Sequence, residues 1–343
     1  MSVPQWAPAR KPRRLGLWAP FVVVFAGVVA LGALWFWMSA QVERRLEAAR
    51  TAATGWGWKM DWDRYAMSGF PFRLDVTLDK VRVREPSGWG VAASRLKAEA
   101  FIFSPGHWVA VAPDGVIVER RRGGPLRVDA KALRASVSEA DKTPPRISIE
   151  GLGLVFTTPP GASAFPLRSA TEFHLHMKSG PDDQGAAYVE LDGAIARLSG
   201  LLGRIADNRP ASLVMDGIYS KAASLSGPSW PAAVRRWQAA GGRLNLRRLT
   251  VVAGHARVDA RDGDLRISPD GRLSGRIDLV LHEAPKTLGA MEADGALSSD
   301  AARAAATVAG AVRQGPTVSL PLAFQAGRAT LGPVAIGPAP RLY

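Results

Sequence analysis

Apolar and polar positions along this chain fall into two regimes. From Leu15 to Val42 there is no alternation: 28 consecutive residues carry no charge, and Phe21, Val22, Val23, Val24, Phe25, Val28, Val29, Leu31, Leu34, Trp35, Phe36 and Trp37 make the run densely apolar. About 20 such residues in a helix cross a hydrocarbon core of roughly 30 Å, and a helix is needed because lipid offers the backbone no hydrogen bonds. Trp18 at one end and Trp35 with Trp37 at the other stand where amphipathic rings anchor at headgroup level. One transmembrane helix is therefore predicted over 15–42. A cleaved leader has an apolar region of only about 7–15 residues, and the bulky Met38 precedes the best small-residue site, Ala40, by two positions. The run thus reads as a retained signal anchor. Arg10, Lys11, Arg13 and Arg14 precede it without an acidic neighbour, whereas Arg44, Arg45 and Arg50 follow among Glu43 and Glu47. The positive-inside rule then puts residues 1–14 in the cytoplasm as a basic tail and the rest of the chain across the membrane.

Residues 43–54 are charged and rich in Ala, which predicts a juxtamembrane helix that Gly55 and Gly57 stop. Beyond it the period becomes two. Phe70, Phe72, Leu74, Val76 and Leu78 occupy one face of a strand, with Arg73, Asp75, Thr77 and Asp79 on the other. At Asp79–Lys80 the phase changes to Val81 and Val83, which calls for a bulge or a turn. Further strands are predicted over 91–103, 116–119, 126–137, 146–156, 171–178 and 187–195, separated by Gly, Pro and Asp punctuation. Short helices are predicted over 198–205 and 230–240, the second capped by Ser229 with Pro231 in its first turn and closed by Gly241–Gly242. A meander runs from Arg243 to Leu281, with turns at Ala253–Gly254, Asp262–Gly263 and Ser268–Gly271. The Ala-rich 284–312 region supplies one or two helices over that sheet, and 317–324 with 331–337 forms a final pair that Pro321 marks as an edge or bulge.

The expected fold is therefore mainly β: a curved antiparallel sheet or groove-like β domain over 55–343 with a few helices, subdivided near 195–241 as an alternative, and preceded by one transmembrane helix. Trp56, Trp58, Trp62 and Tyr65, interleaved with charges, fit either a membrane-interface or ligand-facing patch or a plug for the near end of the β body.

Charge narrows the partners. Of the net +14, residues 1–50 hold seven Lys and Arg against two Glu, so the remaining chain carries +9. Across a membrane, anionic headgroups or an acidic envelope partner fit that charge better than nucleic acid does. The absence of cysteine excludes disulfides, thiol catalysis and thiolate metal sites. Motif chemistry is sparse: there is no phosphate-binding Gly-Lys-Ser/Thr loop, no Gly-x-Ser-x-Gly elbow and no His-Glu-x-x-His. Glu172, His174 and His176 share one strand face at a ligand-like spacing, but solvated polar positions on an outer face account for them, so no metal and no cofactor is expected. Arg120, Arg121 and Arg122 before Gly123–Gly124 make a basic turn suited to a phosphate or lipid headgroup.

The stretch Gly69-Phe70-Pro71-Phe72-Arg73-Leu74-Asp75-Val76, the aromatic run before it, and the endings Leu320-Pro321-Leu322-Ala323-Phe324-Gln325-Ala326-Gly327 and Leu331-Gly332-Pro333-Val334-Ala335-Ile336-Gly337-Pro338 resemble the signature ends of a family of proteobacterial envelope proteins known as domain of unknown function 2125. That resemblance implies an N-terminal anchor, a body outside the inner membrane and no established activity. Gly242 to Leu281 is more loosely similar to the repeated strands of AsmA-like envelope proteins, which implies a lipid-accommodating β groove. Together these readings give a non-enzymatic, single-pass inner-membrane protein with a periplasmic body. Phe70, Phe72, Leu74, Val76 and Leu78 would line a groove for a phospholipid or other amphiphile, and Arg120, Arg121 and Arg122 would hold its headgroup. The alternative is a non-catalytic scaffold or assembly factor whose surface binds another envelope protein.

Overall fold

The computed structural model describes residues 15–197, 201–282, 292, 299–311, 313–314 and 317–343. The basic tail and most of the 284–298 region fall outside these residues. Helix α1 runs unbroken from Leu15 to Gly55. The apolar run and the juxtamembrane segment are therefore one rod of 41 residues, about 60 Å long at 1.5 Å per residue. From Trp18 to Val29 its large apolar side chains are exposed, which in water would be untenable and in lipid is the expected state. It is long and apolar enough to cross a membrane.

The rest is mainly β. Its strands are β1 (Lys59–Asp61), β2 (Arg64–Ser68), β3 (Arg73–Arg84), β4 (Gly90–Phe101), β5 (Trp108–Val111), β6 (Val116–Arg120), β7 (Gly124–Asp129), β8 (Ala132–Ser138), β9 (Arg146–Thr157), β10 (Leu167–Ser179), β11 (Gln184–Ala196), β12 (Ala211–Ser220), β13 (Leu244–Ala253), β14 (Ala256–Ile267), β15 (Leu273–His282), β16 (Arg313–Gln314), β17 (Thr317–Gln325), β18 (Arg328–Leu331) and β19 (Val334–Pro338). Helices α2 (Leu201–Ala206), α3 (Trp230–Ala239) and α4 (Ser299–Ala311) interrupt them. Every strand pairing is antiparallel. β1 and β2 lie end to end along β3, which pairs β4. Two short ladders, β6 with β7 and β5 with β8, bridge β4 to β9. From β9 the order is sequential through β15, then β17, with β16 and β18 sharing its far side and β19 last.

This sheet curls on itself. About nine strand spacings separate β4 from β15, roughly 43 Å if the sheet were flat. Yet one residue of α3 reaches both ends: the Trp230 backbone N–H donates to Glu85 at 2.8 Å, and its indole N–H donates to the Leu342 carbonyl at 3.3 Å. Leu342 is itself tied to the β14–β15 turn through Gly271. The sequence builds α3 for this role. Ser229 caps it by accepting from the Ala232 N–H, Pro231 stands in its first turn, and Val234 and Trp237 are buried beneath it.

Register explains the faces. Leu74, Val76 and Leu78 are buried, whereas Asp75 and Asp79 on the opposite face take up Arg73 and Arg95. The phase change occurs where Lys80 adopts a left-handed backbone conformation; Lys80 and Ser94 are unpaired there, the β3–β4 register is the same on both sides, and Val81 then turns inward. Phe70 and Phe72 do not continue that buried face. Gly69 turns with φ +95°, the Arg73 N–H closes the loop on the Gly69 carbonyl at 2.8 Å, and both phenylalanines are exposed.

Other boundaries also differ from the sequence reading. The segment 126–137 is two strands, β7 and β8. Asp262–Gly263 is a bulge inside β14 and not a turn, since the β14–β15 register resumes at Asp264. Pro321 lies in β17, on the side where β16 and β18 leave a gap; its missing N–H is not needed there and its carbonyl accepts from Gly332. The sheet continues through 195–241, where β11, β12 and β13 pair in order.

Candidate functional site

The inner face of β3 and β4 does not close on a second sheet; α1 lies along it. Trp35, buried near the end of the apolar run, donates its indole N–H to the Arg73 carbonyl at 2.6 Å and packs with Met38, Leu74 and Ile102. Further along, Val42 and Leu46 meet the cluster of Val76, Leu78, Val81 and Ala93. The apposition leaves a cavity of about 610 Å³, walled by Trp37, Met38, Val42 and Leu46 from the helix and by Leu74, Val76, Leu78, Val81, Val83 and Leu96 from the sheet. Its polar lining includes Gln41 and Arg45 of α1.

A second cavity of about 500 Å³ continues from Val83, lined by Trp58, Glu85, Trp89, Val91, Val118 and Trp230. A third, of about 590 Å³, shares Trp89 and Trp230 with it and opens among Arg120, Arg121, Arg122 and the last residues Arg341, Leu342 and Tyr343. Each volume lies within the range of small-molecule sites, roughly 300–1,000 Å³. The first and second share Val83, and the second and third share Trp89 and Trp230, so three mostly apolar cavities follow one another from the side of α1 up the inner face of β3 to a cationic rim. α3 roofs that row: the Trp58 indole donates to the Pro228 carbonyl at 2.6 Å just before the helix begins.

The structure thus separates the proposed lining residues. Leu74, Val76 and Leu78 line the first cavity, while Phe70 and Phe72 stand outside it. Phe70 packs instead on Trp35 and Phe36, with ring centroids 5.4 and 6.0 Å away. The arginines also divide. Arg120 is engaged by backbone carbonyls, donating to Gly124 at 3.1 Å and to Gly123 and Ser163 at 2.6 Å each, with its guanidinium over Phe165. It fixes the rim loop, leaving the exposed Arg121 and Arg122 to meet an anion.

Of the aromatic run, Trp58 lines the second cavity and Trp62 packs in the core beside Arg50. Trp56 and Trp58 lie about 30 Å beyond Trp37 along the helix axis, which places them away from the bilayer exit. Tyr65 is half-buried nearby, and its phenol is pushed up by desolvation first and by Glu43 second. Arg45, Gln41 and the helix wall were missed by sequence reasoning. Their signal was there: Leu31, Trp35, Met38, Val42 and Leu46 recur at the spacing of one helix face.

On the outer face, His174 and His176 do share a direction. The carboxylate that joins them is Glu150, opposite His174 on β9, rather than only Glu172. Glu150, His174 and His176 place ligand atoms within 4.8 Å of one another. Arg134 holds the Glu150 carboxylate at 2.6 Å and Ser148 holds His176 Nδ1 at 3.0 Å, so a cation there would compete with an existing ion pair.

These features define a class: a chain with one helix fit to anchor it in a membrane and a large curved β sheet that forms a groove against that helix. The chain belongs to the family described as an uncharacterized protein conserved in bacteria (DUF2125), whose model matches residues 35–340. No curated protein and no solved structure matches it.

Proposed function

We propose that this protein is a non-catalytic lipid-handling protein of the bacterial envelope, anchored in the inner membrane with its N-terminus cytoplasmic and its β body periplasmic. The observation that carries the reading is the succession of three cavities that share wall residues Val83, Trp89 and Trp230. An acyl chain leaving the bilayer beside Trp37 and Met38 would meet mostly apolar walls up to Val83 and Trp89, with Gln41, Arg45 and Glu85 as the polar exceptions, while a headgroup would meet Arg121 and Arg122 at the rim. The clustered basic residues before Leu15 support the orientation, and the looser likeness of Gly242–Leu281 to AsmA-like strands supports the ligand class.

The test uses the full chain in amphipol, free of excess lipid, with a phospholipid carrying a fluorescent acyl probe. Saturable binding with protection from an aqueous quencher is expected. Val83→Asp, on the half-buried wall that two cavities share, removes the protection while circular dichroism shows the sheet still folded. Arg121→Gln with Arg122→Gln weakens capture of anionic phospholipid several-fold at low salt and less at high salt, because screening acts on exposed charge. A folded chain that protects neither anionic nor zwitterionic lipid contradicts the proposal. Recovery of a stoichiometric envelope protein on that same chain would favour the scaffold reading instead.

A further inference from the structure

Two uncharged loops meet where α1 leaves the bilayer. One is Gly69–Phe72 before β3, the other Phe101–His107 after β4. The Ile102 N–H donates to the Phe72 carbonyl at 3.0 Å, joining them into one tip. Alternation then sorts the side chains: Ile102 is buried against Trp35 and Leu74, while Phe70, Phe72, Phe101 and Phe103 are between 54% and 73% exposed. Four phenylalanines in water on a single tip are not needed by the core, which closes beneath them. Such a patch marks an interaction surface.

The helix fixes what that surface meets. Trp18 to Trp37 spans about 29 Å at 1.5 Å per residue, matching a hydrocarbon core of roughly 30 Å, so the exit interface lies at Trp35–Trp37. The Phe70 ring packs on Trp35 and Phe36 and lies 3.8 Å from where a Cβ on Gly32 would stand. The phenylalanine tip is therefore level with the last turns of the spanning segment. No Lys, Arg, Asp or Glu occurs between Tyr65 and Phe72 or between Phe101 and Pro113 to oppose burial in the acyl region.

We infer that Phe70, Phe72, Phe101 and Phe103 form a second membrane-contact site that inserts into the outer edge of the bilayer beside α1. The partner is the lipid surface itself. The contact holds β3 and β4 upright on the membrane and seats the first cavity's mouth at headgroup level. This inference rests on α1 spanning the bilayer, and the experiment separates the two.

The chain has no cysteine, so single nitroxide labels can be placed at Phe72→Cys, Phe103→Cys, Val24→Cys and Ala239→Cys in the full chain. All four sites are exposed, and α3, which carries Ala239, lies at the far end of β3. In vesicles of phosphatidylethanolamine and phosphatidylglycerol, the ratio of oxygen to water-soluble nickel-chelate accessibility should be highest at position 24. At 72 and 103 it should be intermediate and several-fold above position 239. Values at 72 and 103 equal to that at 239, with 24 lipid-exposed, overturn the contact site alone. A water-exposed label at 24 overturns the anchor and the contact site together.

Discussion

Leu74 is the residue on which the inner face turns. It is 1% exposed and touches the helix, the first cavity and the buried Ile102 at once. Leu74→Ala should cost about 2–5 kcal/mol by lost burial and a new void, whereas Thr77→Ala on the opposite face should change stability by less than about 0.5 kcal/mol. Urea unfolding of the two variants checks the assignment, and equal midpoints would contradict it. This contrast was legible in the sequence because Leu74, Val76 and Leu78 alternate cleanly with charged and hydroxyl residues. Phe70 and Phe72 extended the same alternation by letter but not in space, since both lie in the turn that Gly69 opens before β3. Asp259 shows a second residue-scale effect. Its carboxyl is held down to about 2 from 3.8, first by the hydrogen bond from Arg257, against some burial, and then by Thr250 and His282. A depressed carboxylate contributes stability above its unfolded pKa and loses it as pH falls through the folded one. Acid unfolding should therefore steepen between pH 4 and 2, and Asp259→Asn should flatten that portion of the curve.

Two elements organise the body, and the sequence revealed them unequally. α3 was fully legible: Ser229, Pro231, the Val234–Trp237 face and Gly241–Gly242 mark both ends and one side. Its bracing role was not, because Glu85 and Leu342 lie far from it in sequence. The bond from the Trp230 N–H to Glu85 places a carboxylate at the helix N-terminus, so Glu85→Ala should destabilise by about 1–2 kcal/mol. Arg276→Ala, which breaks an exposed pair with Asp278, should cost less than about 1 kcal/mol. Thermal melts of the two variants distinguish a brace from a surface pair, and similar shifts would count against the brace. α1 posed the opposite problem. Its docking face was hidden because every neighbour in the run is apolar, so only spacing separates Trp35, Met38 and Val42 from the exposed Phe36 and Trp37. β12 was missed for a related reason: Leu213, Met215 and Tyr219 alternate with Val214 and Ile218, which are as apolar as they are, so period two gives no contrast.

At the scale of the molecule, curvature is what converts a long meander into a groove, and curvature is the property least visible in a linear pattern. It arises from the accumulated twist of the sheet, from the left-handed Lys80 and from the bulge at Asp262, and α3 locks it. The consequence is a row of cavities that begins beside the apolar helix and ends under α3. Val83 lies ten residues along β3 from Arg73, roughly 33 Å from the bilayer exit at 3.3 Å per residue. It lines two of the three cavities, while Arg82 beside it faces outward at the same height. A photo-crosslinking side chain at each position, in the full chain reconstituted with radiolabelled phospholipid, therefore asks whether lipid climbs the groove. The account predicts a phospholipid adduct from position 83 and none from position 82. Equal labelling at both positions, or none at 83 in a folded and inserted protein, would contradict it.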